Sequence, residues 1–309
     1  MPPPLSDSAL TWFGDRWGPM PINHDGEVFA FLDVPFDYAV ATRPGARYGG
    51  RAILAALHEF TTYCTDKRAD LSGAWFADHG AVEVVHDLAQ SYANIADAVA
   101  ALPLDAHPIV LGGDHSISDP SIRGLLRRAP EREFGLIVFD AHLDSREPVP
   151  GHEHSGNWVR TVSDVLEHSR SVQLGINAPI YADTYMRDAA AAGIMVRTPY
   201  EIRRAGWVQT LREAVEHVTR GSAGVYVSVD IDCLDAANAP GTQAPNACGL
   251  MPHEVIDAVY EISATADVVA LDITEVSPPL DDANRTAQVA AHIVQNHMAG
   301  VLARQRKRT

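Results

Sequence analysis

The chain predicts a single α/β domain, a three-layer sandwich around a mostly parallel, doubly wound sheet. Three observations predict it. Short apolar runs of strand length alternate with longer amphipathic stretches of helical period, the pattern that builds parallel sheets through crossover helices. No linker, composition shift or internal repeat divides the 309 residues, a length within reach of one large α/β core. Three clusters of aspartate and histidine each follow directly on a strand-like run, where open α/β sheets carry their ligands.

The elements follow in order. Residues 1–24 are rich in Pro, Gly and Trp and read as an irregular N-terminal arm, with the folded domain in 25–309. A strand is expected over 28–34 and a helix over 51–60. Residues 82–102 have a long helical period that places Leu88, Tyr92, Ile95 and Val99 on one face. A strand over 108–111, a helix over 120–128 and a strand over 134–139 come next. Beyond a Gly- and His-rich loop, the pattern gives a helix over 159–168, a strand over 172–176 and a helix over 181–191. A strand over 194–196, a helix over 208–218 and a strand over 225–229 follow. The chain closes with a helix over 252–264, a strand over 268–273 and a helix over 286–304. Pro252 suits the first turn of its helix.

Composition excludes several classes of function. The formal net charge is −16, with 40 acidic against 24 basic residues, so nucleic acid and anionic membranes are poor partners. No apolar run reaches membrane-spanning length. The opening Met1-Pro2-Pro3-Pro4 has no basic region followed by an apolar stretch, and a cytoplasmic protein is expected. Cys64, Cys233 and Cys248 are too few and too scattered for a disulfide framework or a thiolate zinc site. Cys233 reads as a small buried hydrophobe.

The chemistry lies in the three clusters. They are Gly112-Gly113-Asp114-His115-Ser116, Asp140-Ala141-His142-Leu143-Asp144 and Ser228-Val229-Asp230-Ile231-Asp232, with Asp235 close behind. Residues two apart share one face of an extended chain. Asp140, His142 and Asp144 therefore converge if extended geometry continues past the strand end, and so do Asp230 and Asp232. Together with His115 these are six candidate metal ligands. Four carboxylates and two imidazoles suit a pair of divalent first-row ions, and the charges balance. Such a pair turns water into hydroxide at neutral pH, which points to metal-assisted hydrolysis. Asp114 either orients a ligand histidine or caps the following helix. Asp235 is expected to hold its loop, and Asp272 to be structural.

Taken together, the motifs resemble the ureohydrolases, the family of arginase, agmatinase, guanidino-acid hydrolases and formimidoylglutamase. The resemblance covers nearly the whole chain. It includes Val34-Pro35-Phe36-Asp37, Arg43-Pro44-Gly45-Ala46-Arg47-Tyr48-Gly49, the three clusters, Ala239-Pro240-Gly241-Thr242, Gly249-Leu250 and Glu275-Val276-Ser277-Pro278-Pro279. It implies an arginase-like catalytic domain that binds two Mn2+ ions per subunit and assembles as a homotrimer or homohexamer. One ion would be held by His115, Asp140, Asp144 and Asp230, the other by Asp140, His142, Asp230 and Asp232. A hydroxide bridging the ions would attack the planar carbon of a linear amidine or guanidine. Glu275 would face the substrate cation through charge-assisted hydrogen bonds. Asp144 would take up a proton, with His154, or less favourably His152, as a loop proton shuttle. Ser155 stands where some members place that histidine.

The resemblance divides over the substrate. Residues 140–146, Ser155-Gly156 and Leu174-Gly175-Ile176-Asn177 are similar to formimidoylglutamase. In that reading Arg146 binds a substrate carboxylate, Ser155 and Asn157 contact the substrate, and N-formimidoyl-L-glutamate yields L-glutamate and formamide. Arg160 and Arg47 are possible helpers or surface residues. Residues 232–235 and 275–279 look more like agmatinase and the guanidinobutyrase group, which release urea. Two readings of other classes stand beside these: a non-catalytic metal-binding homologue, and a metal-dependent deacetylase of related fold with one metal.

Overall fold

Why the chain folds as it does is plainest at its most apolar runs. The computed structural model describes residues 9–20, 26–149, 154–221 and 224–307. In chain order the elements are β1 (Trp17–Gly18), β2 (Val28–Val34), α1 (Gly49–Leu57), β3 (Tyr63–Cys64), β4 (Ala69–Asp70), β5 (Trp75–Ala81), α2 (Leu88–Ala100), β6 (Ala106–Gly112) and α3 (Ser118–Arg128). They continue with β7 (Phe134–Phe139), α4 (Trp158–Thr161), β8 (Ser171–Leu174), α5 (Asp183–Ala191), β9 (Met195–Arg197), α6 (Pro199–Ala205) and α7 (Trp207–Val218). The last four are β10 (Gly224–Asp230), α8 (Pro252–Thr265), β11 (Val268–Thr274) and α9 (Arg285–Arg306).

Nine strands form one sheet in the order β1-β5-β2-β6-β11-β10-β7-β8-β9, and each neighbouring pair is parallel. Every residue of β2, β7, β10 and β11 is buried, as expected of a sheet covered on both faces. The two-residue period splits them between two cores. Ile109, Leu111, Ile137, Phe139, Val227 and Val229 face the layer of α1, α8 and α9. Val110, Leu136, Val138 and Tyr226 face the layer of α2 and α3. The single-domain, three-layer α/β fold is therefore the one observed. The topology sets β6, β11, β10 and β7 side by side, so the segments leaving their carboxyl ends meet over the middle of the sheet. No helix among the described residues is long and apolar enough to cross a membrane.

Five regions differ from expectation. The helix predicted from 82 begins only at Leu88, where Asp87 caps it by accepting from Gln90 N–H at 2.8 Å. The preceding Trp75–Ala81 is a strand near the sheet edge; its half-exposed, partly polar sequence lacks the apolar signature of the central strands. Helix α6 went unpredicted because it is short. Its start is a capping box between Thr198 and Glu201 with Pro199 in the first turn, and Gly206 ends it at φ +84°. The helix expected over 159–168 stops at Thr161 and tightens into 3-10 turns, Val162–Asp164 and His168–Arg170. In the arm read as irregular, Trp17–Gly18 pairs with β5 and Phe13 is buried against Phe76; residues 1–8 and 21–24 of the arm lie outside the described ones.

Candidate metal centre

One local device ends three of the central strands. Each of β6, β7 and β10 runs into an aspartate whose carboxylate accepts the backbone N–H two residues on. Asp114 accepts from Ser116 at 3.1 Å, Asp140 from His142 at 2.5 Å, and Asp230 from Asp232 at 2.8 Å. Such side-chain turns replace the strand ladder and bend the chain back over the strand end. Convergence therefore does not come from continued extended geometry, as the alternation suggested. Ile231–Cys233 is a 3-10 turn, and Asp144 has φ +46°. Gly113 lets the β6 turn form, since a Cβ there would lie 1.7 Å from Phe36 O.

All six predicted ligands come together. His115 Nδ1 faces one oxygen each of Asp140, Asp144 and Asp230, all at 3.1 Å. His142 Nδ1 lies 3.0 Å from Asp232 and 3.4 Å from Asp140. Two ligand groups thus share Asp140: His115, Asp140 and Asp144, then Asp140, His142 and Asp232. Trp158 walls the first group, its ring tilted against His115 at 4.8 Å and its Nε1–H donated to Asp144 at 3.0 Å.

The electrostatics are those of crowded acids and bases out of water. Burial draws the His142 imidazole down, but Asp232 and Asp140 outweigh it and hold it up at about 12. Burial, with Asp144 and Asp232 adding repulsion, pushes Asp140 up to about 6. Burial likewise drives Asp230 well above the carboxylate range, reinforced by Asp232 and Asp140. His115 Nδ1 and Asp140 Oδ2 are buried with no hydrogen-bond partner. A cation between these groups would satisfy both atoms and relieve the carboxylate repulsion.

Behind His115 lies a polar relay. Its Nε2 meets Ser228 Oγ at 2.9 Å, and Ser228 donates to Asp272 at 2.6 Å. Ser118 and Tyr226 also donate to Asp272, at 2.7 and 2.5 Å. With Ser228 giving its proton to Asp272, Nε2 carries the imidazole hydrogen and Nδ1 points its lone pair at the cluster. Asp272, expected to be structural, holds Ser228 and through it the His115 ring. Asp114, the other candidate for that task, is instead a cap and pin: it holds Ser116 and accepts Ala39 N–H at 3.0 Å. Asp235 holds its loop, accepting from Ala237 and Cys248 at 2.9 and 2.7 Å.

Above the cluster is a cavity of about 170 Å³. His142, Asp144, Asp230, Asp232, Glu275, Arg146 and Ser155 line it, together with Thr42, Ile180, Tyr181 and Gln243. A larger groove of about 580 Å³ between α7 and α8 holds none of these groups, so size does not mark the reactive site. Glu275 is 1% exposed, at φ +63°, a backbone region rare for a residue with a Cβ. Its Oε1 accepts from His115 N–H at 2.9 Å and from Gln243 Nε2 at 2.8 Å, while Oε2 has no partner.

The loop residues divide. Arg146 and Ser155 line the cavity; His154 and Asn157 do not. His154 Nδ1 accepts Gly156 N–H at 3.0 Å and its own N–H donates to Asn157 at 3.1 Å, so the pair closes a turn. His152 lies outside the described residues. Arg47 is spent on Asp37, and Arg160 pairs with Glu147 at 2.7 Å on the surface. Sequence reasoning missed Gln243 and Tyr181 as cavity residues and Ser228 as part of the relay. Ser228 had a signal, since it shares its strand face with Asp230. Gln243 had none, because its partners are distant in sequence.

Comparison with known proteins agrees with this geometry. Residues 27–300 match the arginase family. The formimidoylglutamase of Halalkalibacterium halodurans is 32% identical over 96% of this chain and 94% of its own length. The guanidinobutyrase of Pseudomonas aeruginosa is 30% identical over 94% of each. The crystal structure of formimidoylglutamase from Bacillus subtilis superposes with a TM-score of 0.90 at 27% identity, over 96% of this chain and 94% of that one. The chain belongs to the arginase family. It is a hydrolase of C–N bonds in linear amidines.

Proposed function

We propose that the cavity hydrolyses N-formimidoyl-L-glutamate to L-glutamate and formamide, with two Mn2+ ions as cofactor. One observation carries the reading: an acid and a base, each without a side-chain partner for its free end among the described residues, line the same small cavity. Glu275 Oε2 is buried without a partner, and the Arg146 guanidinium has no hydrogen-bond or ion-pair partner among the described residues. A substrate with an amidinium at one end and a carboxylate at the other satisfies both. Agmatine would bring a second cation toward Arg146, where like charges repel. 4-Guanidinobutyrate carries a cation and one carboxylate, where the favoured substrate carries a cation and two. It is the second reading, and its product would be urea.

The donor set fits the metal pair. We assign His115, Asp140, Asp144 and Asp230 to one ion and Asp140, His142, Asp230 and Asp232 to the other, with Asp140 and Asp230 shared. Carboxylate oxygens mixed with imidazoles suit Mn2+. When bound, the pair supplies Lewis acidity and makes water nucleophilic at neutral pH. The chain's own residues do the rest. Glu275 Oε2 accepts the amidinium N–H groups and turns the planar carbon toward the cluster. Arg146 binds the acid end, with the Ser155 hydroxyl beside it. Asp144 takes the proton released as water adds and returns it to the leaving nitrogen. His154 and Asn157 shape the loop that carries Ser155.

Product identification by carbon NMR tests this. Manganese-loaded protein receives N-formimidoyl-L-glutamate, 4-guanidinobutyrate, agmatine and arginine in separate tubes. Formamide from the first alone is the expected result. Urea from 4-guanidinobutyrate would replace it with the second reading. Turnover of none would leave a metal-binding homologue without this activity.

A further inference from the structure

We infer that Gln243 is a positioning residue that sets the orientation of Glu275 for recognition of the substrate cation; this rests on the reading of Glu275 given above. The amide of Gln243 has only one possible orientation. The Thr42 backbone N–H can only donate, so the atom 3.0 Å from it is the carbonyl Oε1. Thr42 Oγ1 adds a second donor to the same oxygen at 3.1 Å. Nε2 must then face Glu275 Oε1, at 2.8 Å, with Ser155 Oγ at 3.4 Å on its other side.

This arrangement makes the two oxygens of Glu275 unequal. Oε1 takes two fixed donors, His115 N–H and Gln243 Nε2. Oε2 takes none, is buried, and belongs to a side chain that lines the cavity. A carboxylate free to rotate could spend either oxygen on either partner. Two donors on one oxygen stop the rotation and leave the other for a cation. Gln243 is itself held at its backbone. Arg43 grips its carbonyl at 3.1 and 2.8 Å and the Thr242 carbonyl at 3.2 Å, and Thr42 Oγ1 reaches the Gln243 carbonyl at 3.2 Å. The Thr42–Arg43 segment thus acts on Glu275 through Gln243.

The test uses guanidinium chloride as probe, at millimolar concentration, titrated by chemical shift into the manganese-loaded protein. Gln243→Met keeps the length of the side chain and removes the amide; Gln243→Leu is a second variant should the first fail to fold. Glu275→Ala removes the group through which Gln243 acts. Gln243→Met is expected to weaken guanidinium binding about 10-fold or more, the size of a lost hydrogen bond to a charged group, with metal content and melting temperature unchanged. In the Glu275→Ala background the same change is expected to have no further effect. Binding within twofold of wild type, or effects of the two changes that multiply, would overturn the inference. Guanidinium binding that Glu275→Ala leaves intact would remove the reading of Glu275 and this inference together. Guanidinium binding lost as expected, in a protein that turns over no amidine, would sink the proposed function and leave the role of Gln243 standing.

Discussion

Asp33 and Asp230 are both buried carboxylates at the carboxyl end of the same sheet, one near the end of β2 and the other closing β10. Burial raises both. Asp33 is pushed up to about 6, with Arg51 opposing and Asp78 adding to the shift, and its Oδ1 has no partner. Its one ion-pair partner among the described residues, Arg51, lies 3.7 Å away and is mostly exposed. Asp230 instead spends one oxygen on the Asp232 turn and aims the other at His115. The lesson is that an unmet buried acid is not by itself a site. Convergence makes one: β6, β10 and β7 each bring a strand-ending aspartate turn to the middle of the sheet, whereas β2 brings a single acid to its flank.

Substitutions sharpen or break that comparison. The largest effect is expected at Asp230→Asn, which removes a ligand shared by both proposed ions. Changes to residues behind a metal ligand typically cost about 10- to 100-fold, so kcat/KM should fall by more than about 100-fold, with less bound metal by elemental analysis. Ser228→Ala interrupts the relay behind His115. Metal affinity should drop about 10- to 100-fold, measured by competition with a chelator, while the substrate KM at saturating metal stays near wild type.

Arg146→Ala should raise KM for N-formimidoyl-L-glutamate about 10-fold or more, the loss of a charge-assisted contact. It should not impair any residual activity on agmatine, which has no carboxylate to lose. Equal loss on both substrates would deny Arg146 its role.

The smallest effect is expected at Asp33→Asn, with kcat/KM unchanged. The folded-state value of about 6 lies above the ordinary 3.8, so the native state binds more protons than the unfolded state between those values. Stability contributed by this group therefore falls as pH rises from about 4 to about 6. At neutral pH the penalty is at most about 3 kcal/mol, less whatever solvent screening removes. Asp33→Asn should remove it, raising the melting temperature by a few degrees at pH 7 and flattening its decline across that interval. A loss of activity instead would put Asp33 in the site and end the contrast with Asp230.

The same contrast explains what the sequence disclosed. Strands β7, β10 and β11 were legible because burial on both faces makes them mostly apolar. The convergence of the six candidate ligands was legible in part because each turn is local, an aspartate bonding two residues ahead. Strand β5 was not, since a half-exposed strand near the sheet edge has no uniform pattern. Neither were the partners that meet only through the sheet: Ser228 stands opposite Asp272 in the β10–β11 register, and Gln243 reaches Glu275 from a different loop. Specific contacts between loops follow from strand order, which no local pattern encodes.

The most direct test of the proposed two-metal centre is a titration of chelator-stripped protein with Mn2+, following bound metal and turnover of N-formimidoyl-L-glutamate in the same sample. Two ions bound per chain, with formamide appearing only as they fill, is the predicted result. Saturation at a single ion, or full turnover in the stripped protein, would contradict it.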